Sequence, residues 1–310
     1  MRAIVLDSFG GPEVLRLADV PDPAPLPTEV VVLVKAIGVN PVERYIRSGR
    51  FPFAGQPPVI LGWDISGVVE SVVPGVTRFA PGDEVFGMPL FPRPARAYAE
   101  RVAAPARQLA YKPAVFGHNE AAAVSLAGLT AWQALVDVAA VAAGDRVLIH
   151  GAAGGVGHIA VQIAKARGAH VIGTASAGKH DFVRSLGADE VIDYRSVDFR
   201  EAAKDVDMVL ETVGGDYGER SLDTLRPGGL LVTIVDRLNR ELAVKASDSG
   251  RRFAGLTVEP DHTGLEGLAA LAGAGQLRVH VEKAFPLELA AEAHRFLAEA
   301  KPRGKIVLTP

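Results

Sequence analysis

Four glycines stand close together at Gly151, Gly154, Gly155 and Gly157, between an apolar run and a helix-like run. The first run, Val147–His150, is rich in β-branched and aliphatic residues and suits a buried strand. The second, residues 156 to 167, places Val156, Ile159, Ala160 and Ile163 at helical spacing. Glycines at such a junction let the backbone turn sharply. The free N–H groups of the new helix then face whatever lies above the strand end, and an anion such as a pyrophosphate suits that position. The spacing departs from strict Gly-x-Gly-x-x-Gly, since Ala152 holds the first place, ahead of Gly154 and Gly157. A tight turn without a ligand is the plainer reading. The flanking strand and helix favour the ligand.

A second signal lies one strand further on. Where a carboxylate would take the ribose 2′-hydroxyl of NAD, the sequence runs Gly173-Thr174-Ala175-Ser176. Ser176 and Lys179 can instead hold a 2′-phosphate through a hydroxyl and a charge. The alternative is a helix cap and a solvated lysine. The phosphate reading implies NADPH.

Alternating strands and helices must position these groups. Strands are expected at His170–Thr174, Glu190–Ile192, Val206–Glu211, Leu230–Val235 and Gly255–Val258, and helices at Lys179–Leu186, Tyr217–Leu225 and Leu265–Ala274. That order predicts an α/β doubly wound parallel sheet, closed by the last helix. Two helices precede it, Glu120–Ser125 capped by Asn119, and Thr130–Val138. Residues 1–115 are β-rich, with strands at Ala3–Leu6, Val30–Ala36, Ile65–Val72 and Glu84–Gly87 between Gly and Pro turns. This is the pattern of a small irregular β-barrel. The tail from 277 has strands at Val279–Val281 and Lys305–Leu308 and a helix at Leu287–Ala300, and is expected to return to the first domain. The domains are therefore 1–115, 116–276 and 277–310.

The 310 residues are 48% hydrophobic, enough for sizeable cores. A net charge of −3 without a basic run argues against nucleic acid. The absence of cysteine excludes disulfides, a thiol nucleophile and cysteine-ligated zinc. No signal peptide and no membrane span are expected, and the location is expected to be cytoplasmic.

Several segments in order carry a family likeness: Phe9-Gly10-Gly11-Pro12-Glu13-Val14-Leu15, Gly38-Val39-Asn40-Pro41, Gly62-Trp63-Asp64-Ile65-Ser66-Gly67, Pro81-Gly82-Asp83-Glu84-Val85, Ala152-Ala153-Gly154-Gly155-Val156-Gly157 and Gly304-Lys305-Ile306-Val307-Leu308. Over almost its whole length the chain resembles the zinc-independent quinone oxidoreductases of the medium-chain dehydrogenase/reductase superfamily. The resemblance implies a GroES-like β-barrel plus a Rossmann domain, with the active site in the cleft between them. It implies Ser176, Lys179 and Tyr194 at the 2′-phosphate, with Arg303 nearby, and Thr130, Val213, Ile234 and Val235 along the nicotinamide. Asn40 matches a residue near the nicotinamide, and Tyr45 an active-site tyrosine able to deliver a proton. It also implies a homodimer with Gly255–Val258 near the two-fold contact.

The zinc-using relatives polarise a carbonyl with a metal, but this chain has Asn40 where their first cysteine stands and Trp63 in place of the histidine beside Asp64. The eight histidines, His150 and His158 among them, lack ligand spacing. No metal is expected, so the acceptor must need little activation: an apolar quinone, or an enone reduced at its β-carbon. Phe51 stands where such reductases often carry a second tyrosine and cannot donate a proton. Phe51, Phe53 and Trp63 are expected to wall an acceptor pocket. A reading from another class is an NADPH-binding protein without turnover.

Overall fold

The computed structural model describes residues 1–51 and 55–310. Contacts divide the chain into two compact units: Met1–Leu129 with Glu259–Gly273 and Val279–Pro310, and Thr130–Val258 with Ala274–Arg278.

The first unit opens with β1 (Arg2–Leu6), β2 (Leu15–Asp19), β3 (Glu29–Gly38), α1 (Pro41–Arg47), β4 (Val59–Ile60), β5 (Ile65–Val72), β6 (Glu84–Gly87), β7 (Arg101–Pro105), β8 (Leu109–Tyr111) and α2 (His118–Trp132). The second contains β9 (Arg146–Ile149), α3 (Gly157–Ala166), β10 (His170–Ala175), α4 (His180–Ser185), β11 (Glu190–Asp193), α5 (Phe199–Ala202), β12 (Val206–Glu211), α6 (Tyr217–Leu222), β13 (Leu225–Thr233), α7 (Arg240–Asp248) and β14 (Arg252–Gly255). Then follow α8 (His262–Gly273), β15 (Val281–Pro286), α9 (Ala290–Glu299) and β16 (Lys305–Thr309).

In the first unit a three-stranded sheet, β2-β1-β4, accompanies a seven-stranded one, β15-β16-β3-β5-β6-β8, from which β7 branches by pairing with β3. The tail pairs with this sheet: β16 runs antiparallel to β3, Val307 against Gly38. The second unit is a six-stranded sheet in the order β11-β10-β9-β12-β13-β14, parallel throughout. This is the doubly wound order, with its switch point between β9 and β12, where ligands bind beyond the strands' C-terminal ends. Leu148, Ile172, Val209 and Leu231 from four adjacent strands are buried, and Phe199, Leu222, Leu242 and Ala246 cover them. Central strands covered on both faces read as the continuous apolar runs seen in the sequence.

Three expectations need correction. The two helices at 120–138 are one: α2 continues without a break into a wider π turn at Gln133–Val138. Gly128 does not interrupt it, because a side-chain carbon there would lie 2.7 Å from Leu268 Cδ1; the missing side chain is what lets α8 dock. The resulting 21-residue helix has the length and hydropathy of a membrane span, but 72% of its most apolar window is buried inside the protein, as in a core helix. The helix expected to close the parallel sheet, now α8, clusters instead with the first unit, where Glu266 pairs with Arg78 at 2.5 Å. The last sheet strand is Arg252–Gly255 rather than Gly255–Val258, and α7, unread in the sequence, precedes it.

Leu268 is fully buried. Leu268→Ala is expected to cost about 2–5 kcal/mol in urea denaturation, through lost burial and the cavity it leaves. A loss below 0.5 kcal/mol would contradict this docking of α8.

Candidate active site

The turn between β9 and α3 is built by close approach. Gly151 has φ +62°, in the left-handed region. A side-chain carbon at Gly157 would lie 2.2 Å from the Gly151 carbonyl oxygen and 2.8 Å from Ala152 Cα. Only glycine lets the helix begin against the strand end. Ala152 is fully buried, donates its N–H to the Thr174 carbonyl at 3.0 Å, and leaves room only for a glycine at Gly173. Gly154, Gly155 and Val156 are half-buried at the rim.

His150 anchors the start of this turn through a chain of hydrogen bonds. Ser221 Oγ donates to the Tyr217 carbonyl at 2.6 Å, so it must accept from His150 Nε2–H, 3.0 Å away. Gly151 N–H donates to Thr174 Oγ1 at 3.2 Å, and that hydroxyl donates to His150 Nδ1, also at 3.2 Å. The imidazole is therefore neutral, with the proton assigned to Nε2 by the network. Burial and the neighbouring Arg220 push its pKa down to about 3 in agreement.

Ala175 and Asp193 end β10 and β11 in direct register, so Ser176 and Tyr194 follow side by side. Ser176 has extended backbone before a short turn ending in Lys179, and its hydroxyl makes no capping hydrogen bond. Tyr194 is 40% exposed, with the Arg195 guanidinium 5.8 Å over its ring. Serine, lysine and tyrosine thus gather at one sheet edge, where β10 delivers no carboxylate. The parallel sheet brings a second trio together: Val213 after β12, and Ile234 and Val235 after β13. Val213 and Val235 are 48% and 42% exposed, and Val235 Cγ1 lies where a side-chain carbon on Gly214 would come within 2.9 Å. Thr130 lies buried on α2. Arg303, in the first unit, is engaged by Glu282, with Nε 3.0 Å from Oε2.

The sequence reading missed α1, which carries Asn40 and Tyr45. Its signals are present: Asn40-Pro41 opens the helix, and Asn40 N–H donates to Glu43 Oε2 at 2.8 Å. Gly49, at φ +78°, closes it, with Gly49 N–H bonded to the Ile46 carbonyl and Arg50 N–H to Tyr45, both at 2.9 Å. Tyr45 is half-buried, 6.2 Å from Phe51 ring to ring.

Asn40 is held in a buried polar network. Its Nδ2 donates to Asp64 Oδ2 at 2.9 Å, while its Oδ1 accepts from the Lys305 ammonium, which also donates to the Val39 carbonyl at 3.0 Å. Asp64 Oδ1 accepts from Leu126 N–H at 2.9 Å, and Lys305 Nζ lies 3.7 Å from Oδ2. Glu43 Oε2 accepts from the Tyr98 hydroxyl at 2.6 Å, and the Tyr98 hydroxyl oxygen also meets His294 Nε2 at 3.0 Å. Trp63, expected to wall a pocket, is only 2% exposed and is a core residue: its indole N–H donates to the Arg93 carbonyl at 2.8 Å, and Phe91 packs edge-on at 5.1 Å. Phe53 lies outside the described residues.

Two family models match the chain: the alcohol dehydrogenase GroES-like domain over residues 26–114 and the zinc-binding dehydrogenase over residues 186–308. The human quinone oxidoreductase is 33% identical, over 99% of this chain and 97% of its own length. The chain belongs to the quinone oxidoreductase family of the medium-chain dehydrogenases/reductases. A 2-haloacrylate reductase from Burkholderia is 36% identical over 100% of this chain and 99% of its own length. The Escherichia coli quinone oxidoreductase, solved with NADPH, aligns at a TM-score of 0.90 and 32% identity, covering 100% of both chains.

Family membership raises two groups to test against the residues. NADPH fits. The β9–α3 turn leaves no room for a side chain at Gly157, its helix start suits a pyrophosphate, and the neighbouring strand ends carry hydroxyls and a lysine. Zinc does not fit. Trp63 offers an N–H donor already in use, an ammonium sits against Asn40 and Asp64, and among the described residues no three His, Cys, Asp or Glu converge.

Burial pushes the Glu43 carboxyl up from 4.5 to about 8, against the opposing bonds from Asn40 N–H and Tyr98. Between those values the folded state binds more protons than the unfolded one, so this contribution is whole below 4.5 and is lost as pH rises through 8. Burial pushes Asp64 up to about 6, so its window closes there. His150 and His294, pushed down to about 3 by burial, act in the opposite sense from there up to 6.5. The interval from pH 6.5 to 8 lies above the windows of Asp64 and the two histidines, while Lys305, pushed down from 10.5 by burial, acts in the opposite sense to Glu43. Glu43 is therefore isolated by the difference between wild type and Glu43→Gln. Stability in urea is expected to fall across it by on the order of 1–2 kcal/mol, and Glu43→Gln to flatten the slope. The same slope in both proteins would contradict this protonation.

Proposed function

We infer that this protein is a zinc-independent NADPH-dependent reductase whose acceptor is a quinone. The observation that carries the reading is the pairing of the β9–α3 turn with Ser176, Lys179 and Tyr194 at the adjacent strand ends, where NAD recognition would need a carboxylate. NADPH bound there supplies a hydride. In this reading Gly155, Val156 and Gly157 face the pyrophosphate with backbone N–H groups, Gly154 closes the turn with its own N–H on the Gly151 carbonyl at 2.8 Å, and Ala152 packs the turn against β10. Ser176, Lys179 and Tyr194 take the 2′-phosphate by hydroxyls and charge, with Arg303 as a further cation. Thr130, Val213, Ile234 and Val235 give the nicotinamide an apolar edge that fixes its tilt and keeps water away.

The residues of the first unit then have limited work. A quinone gains aromaticity on reduction, so placement and hydrogen bonding suffice. Tyr45 is the proton donor in this reading, directly or through water, since Phe51 has no proton to give. Asn40 has both amide atoms engaged, by Asp64 and Lys305, so its orientation is fixed from behind. Its second Nδ2 hydrogen is the one that can reach a ligand.

The alternative acceptor is an activated alkene, reduced at the β-carbon. The 36% identity with a 2-haloacrylate reductase favours it as the second reading. A cytoplasmic location and a homodimer complete the proposal; β14, the outer strand of the parallel sheet, offers an unpaired edge for a two-fold contact.

A panel of quinones and enones followed at the NADPH absorbance band tests the reaction. Quinones are expected to turn over fastest, enones faster would support the second reading, and no turnover with tight NADPH binding would overturn both. Lys179→Ala is expected to raise KM for NADPH about tenfold or more while leaving KM for NADH nearly unchanged; equal effects would contradict the phosphate contact. Sedimentation at micromolar concentration is expected to give a dimer, and a monomer would refute that part.

A further inference from the structure

Glu211 ends β12 fully buried. One carboxylate oxygen accepts from Val213 N–H at 2.5 Å and Gly214 N–H at 2.6 Å, and the other accepts from Thr233 Oγ1–H at 2.7 Å. Two of these partners are backbone N–H donors, and the Thr233 hydroxyl adds a third contact on the other oxygen. Thr233 ends β13, is fully buried, and passes the order onward. Its Oγ1 accepts from Val235 N–H at 3.3 Å and Asp236 N–H at 3.2 Å, while Ile234 N–H bonds back to the Glu211 carbonyl at 3.2 Å. Two side chains thus lock the backbone of two neighbouring loops.

The locked loops carry Val213 and Val235, exposed apolar side chains at the C-terminal edge of the sheet. Gly214, at φ +83°, leaves the space that Val235 Cγ1 occupies. An apolar rim kept in one conformation by a buried polar side chain is costly to build, since burying such a group is offset only by partners this well placed. Core packing between the two strands does not require it.

We propose that Glu211 and Thr233 form a clasp that sets the spacing of the Val213 and Val235 rim and thereby positions the nicotinamide end of NADPH, making both of them positioning residues. The proposal rests on the reading that these loops face the nicotinamide. The clasp does not touch the 2′-phosphate edge at Ser176 and Tyr194, which is two to four strands away in the sheet order. It should therefore affect the two ends of the coenzyme unequally.

The test uses the full chain and two probes, NADPH and adenosine 2′,5′-bisphosphate, which lacks the nicotinamide half. Thr233→Val removes the hydroxyl at constant shape, and Thr233→Ser restores it. Thr233→Val is expected to weaken NADPH about tenfold in calorimetry while the bisphosphate changes less than about twofold, with Thr233→Ser near wild type. A general loss of fold would weaken both probes. Hydrogen exchange separates the two ways of failing. Wild-type protein is expected to gain protection at 212–216 and 233–237 with NADPH beyond that given by the bisphosphate. If it does not, the nicotinamide lies elsewhere and the underlying reading falls. If it does, yet Thr233→Val binds NADPH like wild type, the clasp alone is refuted.

Discussion

The contact on which the rest depends is the approach of α3 to the end of β9. At Gly157 the helix backbone passes so near the Gly151 carbonyl that a single added carbon would collide at 2.2 Å. This closeness puts the helix start, with its unsatisfied N–H groups and positive dipole end, directly above the strand. It also fixes the neighbours: Ala152 against Gly173 of β10, and His150 through Thr174 and Ser221 to α6. The hydroxyl-bearing strand ends and the apolar rim are then consequences of strand register. Ser176 and Tyr194 follow β10 and β11 at matched positions, and Val213 and Val235 follow β12 and β13.

The first unit solves a different problem. Two carboxylates, Glu43 and Asp64, lie buried within one polar network, a costly arrangement unless charge is balanced. Lys305 supplies one balancing charge from the far end of the chain, and the raised pKa of Glu43 removes the other by keeping it protonated near neutrality. The result is a support behind Asn40 that holds both of its amide atoms.

Much of this was legible in the sequence. The alternation of apolar strands with helical runs gave the parallel sheet, because both periodicities are strong in fully covered strands. Strands Ile65–Val72, Glu84–Gly87 and Val206–Glu211 were placed to the residue. Failures have physical causes. Helix α1 is short and has weak periodicity, so its capping residues were its only signal. Gly128 reads locally as a break, yet serves a contact with Leu268, far away in the chain. Trp63 reads as an aromatic beside a site, but its indole finds a carbonyl inside the core. Lys305 and Glu211 were invisible as buried hydrogen-bonding groups, since a polar residue in a strand does not announce whether its partners lie in water or in the core.

Recognition of a 2′-phosphate coenzyme at the glycine turn, without a metal, can be measured by calorimetric titration of chelator-treated protein with NADPH and then with NADH. One site per chain and at least about tenfold tighter binding of NADPH are expected for a charge-assisted phosphate contact. No binding heat without added zinc, or equal affinity for the two coenzymes, would contradict it.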